Sequence, residues 1–140
     1  MTKKTPSIKI TTALLCDDAR KEDNGKEVLI GVYTGDVLVS EFPAQLVVCL
    51  WLLTETEAAG EIEKEVRAVG PDGKTITSGL FHVSILRDGK GSASFALTKM
   101  PLLIEKKGKL KFQWRPLKGR WSTILTKNVL LNLKNGKVKS

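Results

Sequence analysis

The chain is predicted to be all-β: an antiparallel β-sandwich of about seven to nine strands, with at most one short helical turn. Three observations predict it. Apolar and polar residues alternate with period two over most of the chain, the spacing of strands buried on one face. Turn signals such as Asn24-Gly25, Pro71-Asp72-Gly73, Arg87-Asp88-Gly89 and Lys118-Gly119 punctuate that alternation. No stretch carries the spacing of an amphipathic helix. A length of 140 residues suits one domain whose core needs no staple.

The elements follow in order. Residues 8–16 form the first strand, with Ile8, Ile10, Thr12, Leu14 and Cys16 alternating with Lys9, Thr11 and Ala13. Residues 17–26 hold the one helical turn, closed by Gly25. Residues 27–33 and 37–39 are strands, the latter ending before Phe42-Pro43, since proline lacks the N–H that a ladder uses. Residues 44–55 make the strongest strand. Leu46, Val48, Leu50 and Leu52 line one face, and Val47, Cys49, Trp51 and Leu53 the other. A strand apolar on both faces is covered on each side or forms an interface. The same pattern places Trp51 either in the core or in a contact between copies.

Residues 61–69 set Ile62, Val66 and Ala68 inward and Glu61, Glu63, Glu65 and Arg67 outward, while Lys64 interrupts the inward row and snorkels out. Residues 74–86 give one long strand or two, residues 91–97 return, and Pro101 interrupts before residues 102–104. Residues 109–117 alternate strictly, with Leu110, Phe112 and Trp114 inward and Lys109, Lys111, Gln113 and Arg115 outward. Residues 121–125 and 128–133 complete the set. Inner faces that close as two layers favour a sandwich, immunoglobulin-like or C2-like, over a barrel. The domain spans residues 1–134, and residues 135–140 form a basic, frayed tail.

Hydrophobic residues make up 41% of the chain and charged residues 27%, which excludes a disordered class. The longest apolar run, residues 46–53, is far short of the roughly 20 residues of a membrane helix. Lys9 and two threonines break the apolar stretch behind the basic start, unlike a secretion signal. The expectation is a cytoplasmic protein without membrane contact. Cys16 and Cys49 sit in apolar strands and read as reduced, buried thiols; a disulfide would require their strands to be neighbours. The net charge of +8 is uneven. Residues 1–70 hold 8 Lys and Arg against 12 Asp and Glu, and residues 71–140 hold 15 against 3. Such asymmetry bears on partners, not on fold.

The stretch CDDARKEDNGKEVLIGVY, residues 16–33, looks most like a site. A calcium loop wants oxygen donors at alternate positions before its glycine, but Arg20 occupies one of them, and Lys21 and Lys26 offset the acids. No metal is expected. Asp17 and Asp18 are adjacent and so face opposite ways in a strand; as a cooperating acid–base pair they would need a turn to bring them together. The single histidine, His82, points outward or sits at an edge, and phosphate-loop, triad and dinucleotide fingerprints are absent. The stretch is read as a strand connection built on Asn24-Gly25, with Arg20 pairing to Asp17, Asp23 or Asp36. Asp17, Asp18, Arg20, Asp23, Asn24 and Asp36 form a candidate recognition loop.

The segments ALLCDDARKEDNGKEVLIGVYTGDVLVSEFP, VGPDGK and GKLKFQWRPLKGRW resemble a family of small bacterial proteins catalogued as a domain of unknown function. The resemblance implies a compact stand-alone β-sandwich and transfers no activity, ligand or catalytic residue.

The expected function is non-enzymatic, without cofactor: a protein–protein interaction module that binds an unknown protein or itself. The alternative is nucleic-acid or polyanion binding. Lys109, Lys111 and Arg115 share one strand face, Lys106, Lys107, Lys118 and Arg120 flank it, and Trp121 could stack on a base. A structural subunit of a phage-like assembly is a further alternative, drawn from fold-level analogy.

Overall fold

The computed structural model describes residues 6–132 and is built from ten strands. These are β1 (Ile8–Cys16), β2 (Asp18–Lys21), β3 (Glu27–Ile30), β4 (Val37–Val39), β5 (Ala44–Thr56), β6 (Gly60–Val69), β7 (Thr75–Ile85), β8 (Gly91–Ile104), β9 (Gly108–Pro116) and β10 (Ser122–Leu131). They form a three-stranded sheet ordered β1-β5-β8, a five-stranded sheet ordered β4-β10-β9-β6-β7 and the small hairpin β2-β3. The expected tail, residues 135–140, lies outside the described residues, as does residue 133 of the last expected strand.

The two larger sheets close over one core, as period-two burial requires. From the five-stranded sheet come Val66, Ala68, Phe81, Val83, Leu110, Phe112, Trp114 and Val129, and from the other Leu15, Val48, Leu50, Leu52, Leu102 and Ile104. Leu110 and Phe112 are 0% exposed and Trp114 is 8%, while Lys109 and Lys111 between them face solvent. Lys64 reaches out along the ring of Trp114, 4.8 Å from its centroid, and burial pulls its ammonium below the ordinary lysine value.

Four expectations are corrected. Residues 17–26 form no helical turn, and no helix occurs among the described residues; Asp18–Lys21 pairs antiparallel with Glu27–Ile30 instead. The sheets are not wholly antiparallel, because β4 runs parallel to β10. Pro101 does not interrupt β8, since β8 is an edge strand and an edge tolerates a residue with no N–H. Residues 121–125 and 128–133 do not form separate strands: β10 runs through Lys127, whose Nζ turns aside to the Tyr33 carbonyl at 2.6 Å.

The hairpin covers the outer face of β5 and β8. Glu27 accepts hydrogen bonds from Trp51 Nε1 at 2.9 Å and from Ser94 Oγ at 2.5 Å. Trp51 therefore neither fills the core between the layers nor stands free; it lies half-buried beneath the hairpin. Cys16 and Cys49 face each other across β1 and β5, both fully buried and both free. Cys16 Sγ lies 3.4 Å from the Asp18 carbonyl, which places this pair under the hairpin's start.

Candidate functional site

The recognition loop is a hairpin with a strapped base. The Asn24 side chain accepts from the Lys26 N–H at 2.9 Å, and Gly25 adopts φ +89° to close the turn. At the base, the Asp17 N–H donates to Ile30 and Gly31 carbonyls, and its carboxylate accepts the Tyr33 hydroxyl at 3.2 Å. Arg20 pairs with Asp18, at 3.3 Å, rather than with Asp17, Asp23 or Asp36: two residues apart on one strand, they share a face. Asp36 stands apart from the others, beside Asn128 of β10 at 3.5 Å. Among the described residues no group of three or more His, Cys, Asp and Glu side chains comes together to hold a metal.

The basic residues divide along β9. Lys106 and Lys107 sit in the turn before it, next to Lys109 and Lys111, and all four are exposed. Lys118 and Arg120 lie past its other end, about 30 Å away at strand rise. Arg115, between them, is committed: its Nε donates to Glu65 at 2.8 Å and its guanidinium lies 4.3 Å from the Trp121 ring. Arg67 lies 4.0 Å from the same ring, so Trp121 is held by two guanidinium groups and half-buried rather than presented to a base. On the same outer face, Glu61 accepts from Ser84 at 2.8 Å and from His82, whose other ring nitrogen is 3.9 Å from Glu63. The hydrogen bond to Glu61 raises the His82 pKa. Lys64 pairs with Pro116, the last residue of β9, so Glu61 and Glu63 lie beyond that strand, diagonally across the sheet from Lys109 and Lys111.

A different feature emerges where the two sheets end side by side. β7 and β8 are consecutive but do not pair; each is the free edge of its own sheet. Phe81 and Phe95 bridge the layers there, edge to face with centroids 5.0 Å apart. Beyond them the seam gapes into a cavity of about 160 Å³ lined by Val66, Gly79, Leu80, Phe81, Leu97 and Met100.

The edges differ in chemistry. β4 is three residues long. β1 carries Lys9 and a register break between Ile10 and Thr12. β8 carries a bulge where Lys99 adopts φ +55°, then Pro101. The hairpin strands are four residues each and charged. β7 breaks register only near Ile76; from Thr77 to Ile85 it pairs continuously with β6, and His82 alone can carry charge. Leu80, midway, is 69% exposed. Short, bulged, charged or proline-bearing edges resist strand addition, whereas a long uncharged one invites it.

None of these edge residues stood out as a site in the sequence. The signal was the run TITSGLFHVSI, free of Lys, Arg, Asp and Glu in a chain 27% charged. Without strand order, nothing marks that run as an edge.

A family model described as "Family of unknown function (DUF6941)" matches residues 11–115, a span that includes the hairpin and the whole β7–β8 seam. The match bears out the resemblance to an uncharacterised domain. No curated protein matches the chain.

Proposed function

The chain belongs to this family of unknown function, and from that premise we propose that it is a non-enzymatic protein–protein interaction module that takes an extended segment of another polypeptide as an added strand along β7. The carrying observation is the unbroken edge from Thr77 to Ile85, free of Lys, Arg, Asp and Glu, in a molecule whose other described edges are short, bulged or charged. In such recognition the main-chain hydrogen bonds supply affinity, and pockets for alternate side chains supply specificity. We assign the protein to the cytoplasm, because two opposed thiols that stay free suit a reducing compartment.

The test is a titration of the isotope-labelled chain with a short synthetic peptide of alternating Thr and Val, followed by amide NMR. Shifts and exchange protection concentrated along β7, and absent from Leu80→Lys, support the reading. An unperturbed β7 at millimolar peptide overturns it. So does a dimer of the chain alone that Leu80→Lys dissolves, since the occupant would then be a second copy.

A further inference from the structure

The cavity at the seam indicates what an incoming strand carries. Alternation puts Thr77, Gly79, Phe81 and Val83 on the inward row of β7, and Gly79 pairs with the buried Val66. Glycine leaves that row with a notch. A Cβ built on Gly79 would meet no atom within 4 Å, so the space beside it is open, and Leu97 and Met100 of β8 form its far wall. At about 160 Å³ the cavity matches the roughly 150 Å³ apolar void that accommodates a benzene-sized group. A strand laid against β7 directs alternate side chains inward, and the one opposite Gly79 enters this space.

One exposed cation stands at the rim. Lys99 sits between Thr98 and Met100, both lining residues, and the bulge at its φ of +55° lifts it from the β8 ladder into solvent. Arg67 also lines the cavity, although its Nε donates to Gln113 and its guanidinium rests on Trp121. No acidic side chain lines the cavity. A cation at the edge of an apolar notch complements an acidic side chain on the same row as an apolar one.

We propose that the segment recognised at β7 is an extended strand with a leucine-sized apolar side chain seated beside Gly79 and, two residues along on the same inward row, an acidic side chain that meets Lys99. The inference rests on the reading of β7 as a strand-addition edge and specifies the partner's chemistry. Gly79→Val enters the notch from within; its Cβ meets open space and valine adds strand propensity, so the variant is expected to fold, checked by its far-ultraviolet circular dichroism.

The experiment measures fluorescence anisotropy with labelled Thr/Val peptides that differ at the central residue, each made with Glu or Lys two residues from it. Leu or Met at the centre is expected to bind about tenfold tighter than Ala. Gly79→Val should abolish that preference, and Lys99→Glu should reverse the preference for Glu over Lys. Equal binding across the central series, with β7 amides still protected, overturns this inference and leaves the strand-addition reading standing. Loss of β7 protection with every peptide overturns both.

Discussion

Single residues decide how the hairpin is held. Gly31 adopts φ +68°, a region that L side chains avoid, and a Cβ there would collide with the Asp17 carboxylate that receives the Tyr33 hydroxyl. Gly31→Ala is expected to cost about 1–3 kcal/mol, read from the urea midpoint. Glu27 is the other fastening. The Ser94 hydroxyl first, then the Trp51 indole, hold its pKa below the ordinary glutamate value. A depressed carboxylate pKa contributes stability that is fully present above the unfolded value and is lost as pH falls through the folded one. Glu27→Gln should therefore cost about 1–2 kcal/mol at neutral pH, shift Trp51 emission to the red, and lose its difference from the parent in acid.

At the scale of elements, a strand was legible where a single buried face sets its pattern. β9 was legible because Leu110, Phe112 and Trp114 alternate strictly with Lys109, Lys111 and Gln113, and one buried face is all that pattern needs. β2 was not. Asp18, Ala19, Arg20 and Lys21 carry no apolar alternation, and their extended form comes from the β3 ladder and the Asp17 strap. The uncharged composition of β7 was visible, but its place as an edge depends on β6 finding β9, with Glu65 opposite Arg115 from far along the chain. The basic stripe illustrates the same limit. Arg115 reads as a free cation in sequence, yet it joins Glu65 on β6, the Gly119 carbonyl and the Trp121 ring. Arg115→Ala is expected to destabilise by about 1–2 kcal/mol and to loosen Trp121, detected as faster quenching of its fluorescence by acrylamide. Arg115→Lys should recover little, since an ammonium lacks the planar fork.

The whole molecule is one core between two sheets, and its strength is concentrated where they face each other. Phe112 is 0% exposed at the centre of the five-stranded sheet, flanked in the ladder by Ala68 and Leu125. Phe112→Ala should cost about 3–5 kcal/mol and leave a single cooperative transition, checked by comparing unfolding followed by near-ultraviolet and far-ultraviolet circular dichroism. The outer surface is organised at the same scale. Glu61 and Glu63, beside His82, lie toward one end of the central strands and Lys109 and Lys111 toward the other, so the acidic and basic groups of this face are separated along the strands.

The facing cysteines have a kinetic consequence. With Cys16 and Cys49 sealed from water, and Cys49 pushed up to about 12 mainly by burial, neither offers a thiolate to a bulky alkylating reagent in the closed molecule. Modification waits for the Glu27 fastening to let go and the flap to rise. The rate at which label accumulates is thus a clock for that rising, and Glu27→Gln should make it run faster while the sandwich beneath stays folded.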